Sequence, residues 1–337
     1  MPIERDVLAV TPAPSAPRKR AVVLRALGLG DLLTCVPALR ALRRGLPHHE
    51  LVLLTPARFA PLVRVAGLAD VVVDTLPWRP PPSSFDGADL AVNLHGRGPQ
   101  SHQLLLAGQP RRLVAYACDG LAGGPHWDPD EHEVTRWCRL VDDAGFPADP
   151  GELTIASPSR PIADRVAGAT VLHPGAAAPA RRWPVDRWAS VARHERARGQ
   201  RVVLTGTGGE RQLCAEVAAR AGLSEDAVLA GCTDLLDLFA VVAGAVVVVC
   251  GDTGVAHVAT AVGTASVVLF GPTAPAQWGP PDRPRHRVIW KGGHGDPHAS
   301  ATDPGLLRIS DADVLAELDR LRLETVRAQV LAAPPIA

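Results

Sequence analysis

Apolar residues come in short unbroken runs, each followed by a stretch with helical spacing. From Ala21, AVVLRA is such a run, and the apolar positions of LLTCVPALRALRRGL recur at the period of a helix. LVLLT then reads as a second strand and ARFAPLVRVAG as a second helix. VVVDT gives a third strand and DLAVNLHG a fourth. Strands that are apolar on both faces and alternate with helices predict a parallel sheet covered on each side. Residues 76–87, LPWRPPPSSFDG, read as a Pro-rich loop. After RLVAY the pattern loosens, until EVTRWCRLVDDAGF (133–146) predicts a helix ended by Gly145.

Residues 146–164, FPADPGELTIASPSRPIAD, carry four prolines and read as an interdomain linker. A second alternation follows. ATVLHPG ends a strand, and a helix begins at Pro184. RVVLTGT is the next strand, with a helix from Gly209. TDLLDLFAVVAGA reads as a helix, AVVVVC as a strand, then comes a helix from Gly254 and the strand SVVLFGPT. The fold class is therefore α/β, with two Rossmann-like parallel sheets facing across a cleft. Ligands are expected at the C-terminal ends of the strands. ISDADVLAELDRLRLETV predicts an amphipathic helix with Ser310 or Asp311 as its N-cap.

Composition narrows the function classes. The 337 residues are 47 % apolar, enough for two ordinary cores. With 35 basic and 35 acidic residues the formal charge is zero, so no overall attraction to nucleic acid is expected. Nearly all the positive charge is Arg, since only Lys19 and Lys291 are Lys. With so much Ala and Pro, this points to a GC-rich genome and gives single arginines little weight. Cys35, Cys118, Cys138, Cys214, Cys232 and Cys250 are scattered without a CxxC pair and read as buried reduced thiols of a cytosolic protein. No run reaches the ~20 apolar residues of a membrane span. The first residues lack the apolar core of a signal peptide.

Four strand-end motifs carry polar chemistry. In RALGLGDLL, Gly28 and Gly30 suit a tight turn, and Asp31 falls at the start of the next helix. There it either caps the helix or faces a ligand, and the residues alone leave both open. A dinucleotide fingerprint is a poor match, because its third glycine position is Leu33 and LVLLTP ends without an acid for a ribose. In VLHPGAAAPARRWP, Arg181 and Arg182 stand just before a helix start and suit an anion, while Trp183 and Trp188 read as packing residues. In VVLTGTGGE, Gly206, Thr207, Gly208, Gly209 and Glu210 form a turn open to a flat ring. In VVVVCGDTGVAH, the amides of Thr253 and Gly254 open a helix and suit a phosphate, with Asp252 bracing the turn or holding His257. DPDEHE (128–133) has acids at metal-like spacing, but without further ligands these read as solvated charges, and no metal site is expected.

Together, RALGLGDLLTCVPALRALRR, DLAVNLHGRGPQS, LHPGAAAPARRWPVDRWASVA, RVVLTGTGGER and CGDTGVAHVATAVGTASVVLFGPTAPAQWGP resemble glycosyltransferase family 9 in order and spacing. This is the bacterial ADP-heptose:lipopolysaccharide heptosyltransferase family. The resemblance covers residues 21–281. It implies a GT-B fold and inverting, metal-independent transfer from a nucleotide diphosphate sugar, an ADP-sugar first of all. No cofactor is implied. The catalytic aspartate of the family falls on Asp31. A basic residue, usually lysine in the family, falls on Arg181, and the diphosphate turn on Asp252, Thr253, Gly254 and His257. Gly206, Thr207 and Glu210 fall in the nucleotide pocket; Gly28, Gly30, His95 and Arg97 fall on the acceptor side. The acceptor would be a glycan, lipid-linked or small-molecule hydroxyl, as in cell-envelope glycan synthesis. The protein would be cytoplasmic, with peripheral contact to the inner membrane face allowed for.

The expected organisation is a flexible tail (1–19), an acceptor-side domain (20–157) and a nucleotide-sugar domain (158–309). A helix (310–325) would return to the first domain, and a loose tail (326–337) would follow. Two other functions share these features: a nucleotide-sugar epimerase, which needs no acceptor, and a non-catalytic nucleotide-sugar binder, which has no use for a base in the opposite domain.

Overall fold

Parallel pairing organises the chain into two five-stranded sheets. A computed structural model describes residues 19–77, 83–121, 123–162 and 166–332. The first sheet contains β1 (Lys19–Leu24), β2 (His49–Thr55), β3 (Val71–Asp74), β4 (Leu90–Asn93) and β5 (Leu113–Val114), in the order β3-β2-β1-β4-β5. The second contains β6 (Thr170–His173), β7 (Val202–Leu204), β8 (Val247–Gly251), β9 (Ser266–Phe270) and β10 (His286–Trp290), in the order β10-β9-β8-β6-β7. Strand order reverses between β1 and β4 in one sheet and between β6 and β8 in the other. Leu24 registers with Asn93 there, and His173 with Cys250. Loops leaving paired strands at a reversal diverge to opposite faces and open a crevice.

The helices in chain order are α1 (Leu29–Thr34), α2 (Val36–Gly45), α3 (Ala60–Val65), α4 (Gln100–Leu106) and α5 (Glu133–Asp143). They continue with α6 (Val185–Ala197), α7 (Arg211–Ala221), α8 (Leu235–Gly244), α9 (Gly254–Val262), α10 (Pro275–Trp278), α11 (Pro304–Leu307) and α12 (Asp311–Ala332). The single helix expected after β1 is broken at Cys35 into α1 and α2. Pro37 lies in the first turn of α2 and has no N–H to continue the α1 ladder across Cys35, which accounts for the break. The edge strand β10 was not anticipated. Only HRVIW marks it, and Arg287 and the exposed Val288 blur its apolar signal.

Alternation within each strand assigns the core. Ala21 and Val23 join one apolar cluster, while Val22 and Leu24 face another with Leu105 of α4. The first of these clusters runs on through Leu32, Leu33 and Leu39 to Phe239, Val255 and Val258, and on to Val171, Val248 and Val268 of the second sheet. A third cluster covers the far face of that sheet, with Trp183 and Trp188 in edge contact, their rings 5.2 Å apart.

The proline-rich stretch between the sheets is tied down. Arg40 of α2 donates to the carbonyls of Glu152 and Thr154, and the Ile155 amide donates to the Ala261 carbonyl.

The C-terminal helix does not return to the first sheet as expected. α12 packs on α6, β9 and β10. Val314, Leu318 and Leu321 share one face and enter the cluster of Trp183 and Trp188. Ion pairs of Lys291 with Asp313 and of Arg322 with Glu195 fix the same docking. Ser310 is its N-cap: the Ser310 hydroxyl accepts from the Asp313 amide, and the Asp313 carboxylate accepts from the Ser310 amide. The helix also passes the expected end at 325 and reaches Ala332. Of the two expected tails, residues 1–18 and 333–337 lie outside the described residues. Leu318→Ala, at a position 1 % exposed, is expected to cost about 2–5 kcal/mol in urea denaturation. A loss below about 1 kcal/mol would place α12 outside the cooperative core.

Candidate active site

The two reversal points face each other, and their loops line one cavity of about 560 Å³. Leu27, Gly28, Leu29, Gly30 and Asp31 come from the first sheet. Ala177, Arg181, Asp252, Thr253, Gly254, His257, Thr273, Trp278, Pro297 and His298 come from the second. The start of α1 meets the start of α9, and two glycines permit the approach. A Cβ on Gly254 would stand 3.0 Å from Leu29 Cβ, and one on Gly30 would stand 2.9 Å from the His257 ring. The aspartate of one half is thereby brought to the phosphate-type turn of the other.

Asp31 is at once a cap and a cavity-facing acid. Its Oδ2 accepts from the Gly28 amide at 3.0 Å, which ties down the turn before α1. Its Oδ1 accepts from Arg25 Nη2 at 3.3 Å. The side chain is 28 % exposed, so the carboxylate remains accessible from the cavity.

On the opposite wall, Arg181 Nη1 donates to the Asp252 carbonyl at 3.3 Å. Arg181 Nε and Thr253 Oγ1 are buried with no hydrogen-bond partner. Unpaired buried polar atoms are costly, and two of them on neighbouring cavity-lining residues suit a polar ligand. Thr253 is extended and precedes the first turn of α9, so the free amides there add positive potential. The His257 ring meets Trp278 edge-on at 6.0 Å, and burial pushes its imidazole down to about 4.

Not every expected residue gathers here. Gly206, Thr207 and Glu210 sit at the end of β7, outside the cavity lining. Glu210 Oε2 accepts from the Thr207 amide and hydroxyl, at 2.8 and 2.9 Å, closing that turn. The Glu210 carboxylate lies over Gly175, where a Cβ would stand 2.1 Å from its Oε1. His95 is buried behind the wall. Its Nδ1 accepts from the Ala26 amide at 3.2 Å, and its own amide donates to Asn93 Oδ1 at 2.9 Å. Burial, reinforced by the Arg25 charge, pushes it down to about 4, so it stands as a neutral ring. Arg97 is exposed on the loop after β4.

Of the acids of DPDEHE, Asp128 and Asp130 are exposed as expected, but Glu131 and Glu133 are not plain solvated charges. Glu133 is 8 % exposed and accepts from Arg136 Nε and Trp137 Nε1, each at 2.8 Å, and Glu131 pairs with Arg139 at 2.6 Å. Arg25 does not stand out in the sequence, because the compositional bias toward Arg masks it. Its signal was one cation inside the apolar run AVVLRA, immediately before the GLGD turn. The thiols are free, but Cys232 is exposed and Cys118 only partly buried, against the expectation of uniform burial. Among the described residues, no group of three or more His, Cys, Asp or Glu could hold a metal ion. No helix among them is long and apolar enough to cross a membrane.

Two parallel α/β domains with a site between their strand ends define a GT-B fold. Two solved structures share it: E. coli ADP-heptose lps heptosyltransferase II, at 20 % identity and TM-score 0.72, and a glycosyl transferase of family 9 from Veillonella parvula, at 19 % and 0.73. These cover 91 % of this chain and, respectively, 99 % and 97 % of theirs. The family model for glycosyltransferase family 9 (heptosyltransferase) matches residues 125–304, and the chain belongs to that family. Among curated relatives, lipopolysaccharide heptosyltransferase 2 of E. coli K12 is 33 % identical over 155 residues. That alignment spans 43 % of this chain and 44 % of the relative, so the chain matches less than half of that protein's length.

The Asp252 carboxyl is pushed up to about 6, chiefly by burial, with Arg181 opposing and Asp31 adding to the rise. A carboxyl raised on folding binds its proton more readily in the folded chain. Its contribution to stability is complete below about pH 4 and is lost as pH climbs through about 6. Asp252→Asn removes that loss. The stability of the variant relative to wild type is expected to grow by about 2 kcal/mol between about pH 4 and about pH 7.5. Denaturant titration at both values checks it, and a difference independent of pH would refute it.

Proposed function

We propose that the chain is an inverting glycosyltransferase that needs no metal. It would move a sugar, heptose or a related one, from a nucleotide diphosphate donor to a hydroxyl of a glycan, lipid-linked or small-molecule acceptor. One observation carries this reading: a carboxylate from one half faces two buried, unpartnered donor groups, Arg181 Nε and Thr253 Oγ1, from the other. A simple binder needs only the second wall. The names of the relatives make ADP-heptose and a lipopolysaccharide the first donor and acceptor to try.

In this mechanism Asp31 accepts the proton of the acceptor hydroxyl as its oxygen attacks the anomeric carbon. The bond from that carbon to the diphosphate oxygen breaks, and the electron pair leaves with the nucleotide diphosphate. Attack from the Asp31 wall is opposite the leaving group, so configuration inverts. Arg181, the Thr253 hydroxyl and the first amides of α9 offset the growing charge on the diphosphate. Asp252 braces the turn and His257 packs below it. Gly206, Thr207 and Glu210 would bound the nucleotide, while Gly28, Gly30, His95 and Arg97 shape the acceptor side. Residues 20–157 would serve the acceptor and 158–309 the donor, in the cytoplasm at the inner membrane face.

Calorimetry with ADP, GDP, UDP, dTDP and their sugar conjugates, with chelator present, tests the donor wall. One nucleotide is expected to bind selectively, and Arg181→Gln to weaken it about tenfold or more. Asp31→Ala is expected to lower transfer by about 100-fold or more, with donor affinity within about threefold of wild type. Near-normal turnover in Asp31→Ala, or no nucleotide bound by folded wild type, would overturn the reading.

A further inference from the structure

We propose that Arg25, held by Glu133, is the positioning residue that fixes the Asp31 carboxylate, an inference that rests on Asp31 acting as base. Arg25 follows β1 and is 1 % exposed, so its guanidinium has no water to satisfy it. It spends its donors on the acid and its surroundings. Nε donates to the Asp31 carbonyl at 2.9 Å, and Nη2 donates to Asp31 Oδ1 at 3.3 Å. Nη1 donates to the Leu94 carbonyl at 2.6 Å, which ties the same group to the end of β4. One planar cation therefore grips Asp31 by backbone and side chain and references both to the strand pair at the reversal point. Its rigid fork suits this role in a way a lysine does not.

The cation is itself anchored from behind. Glu133 Oε2 lies 3.5 Å from Arg25 Nη2, and the Trp137 ring lies 4.8 Å from the guanidinium. Arg136 holds the other oxygen of Glu133 and donates to the carbonyls of Asp128 and Glu131. Two carboxylates and two guanidiniums sum to no net charge, so burial is tolerated while every member is present. Arg25 does not line the cavity, and it meets the chemistry only through Asp31. Its effect passes through Asp31, where a displacement of about 1 Å is enough to cost about 100-fold in rate.

The test is a double-mutant cycle on transfer, with donor binding measured in parallel. Arg25→Gln is expected to lower kcat about 30- to 100-fold, with donor KM and Kd within about threefold of wild type. Arg25→Lys should recover part of the loss. In the Asp31→Ala background, Arg25→Gln should change the residual rate less than about twofold, because the residue it positions is gone. Arg25→Gln/Glu133→Gln removes one buried charge of each sign, and its thermal melt and donor affinity show whether the fold survives if the single variant does not. A folded Arg25→Gln, or folded double variant, that keeps wild-type kcat while Asp31→Ala is inactive refutes the positioning role and leaves the transferase reading standing. Equal losses from Arg25→Gln in both backgrounds refute it too. An active Asp31→Ala refutes the reading beneath it.

Discussion

The approach of α1 to α9 is the constraint on which the site depends. Two helix starts from different sheets meet closely, because Gly30 leaves room for the His257 ring and Gly254 for the Leu29 side chain. A helix start is where amides lack intrahelical partners. On the α9 side those amides face outward beside Arg181 and Thr253. On the α1 side the Gly28 amide is taken by Asp31, so the aspartate keeps its carboxylate at the mouth of the cavity. A larger residue at either glycine would part the acid from the cradle.

The second feature is how much charge lies behind the cavity wall. Arg25, Glu133 and Arg136 are nearly dry, and a charge taken from water is repaid only by close partners. Here each has them, and Trp137 and Trp127 add ring faces against the two guanidiniums. Such a network adds little net stability, but it allows few alternative geometries. The loop that supplies Glu133 also reaches the other half. His132 Nε2 lies 2.9 Å from the Gly279 carbonyl, and Gln277 donates to the Pro129 carbonyl. One short segment therefore touches the support of Asp31 and the far wall of the cleft together.

The sheets were legible because the inner strands are buried on both faces and read as plain apolar runs, as VVVVC and SVVLF do. The four strand-end motifs were legible because turn and charge follow the runs directly. What stayed hidden was set by distant pairing. Glu133 looks like one acid among several until the fold brings it 3.5 Å from a guanidinium more than a hundred positions earlier. β10 is an edge strand with Val288 exposed and two polar residues among its five, and it lacks the apolar signature of its neighbours. The apolar stripe of α12 announces an amphipathic helix, yet nothing local says which surface it will cover. The contacts of Trp183, Trp188 and Glu195 settle that.

The apolar cluster that begins beneath β1 and ends beneath β9 has no wet boundary between the halves. Domains joined by a thin hinge part by exposing a solvated cleft, and each can melt alone. Here parting the sheets would expose the flanks of α1 and α9, which opposes a wide opening and favours small sliding of packed helices, of the shear kind. The chain would then unfold as one calorimetric unit, and the substrates would meet by sub-helical adjustments rather than by a wide swing.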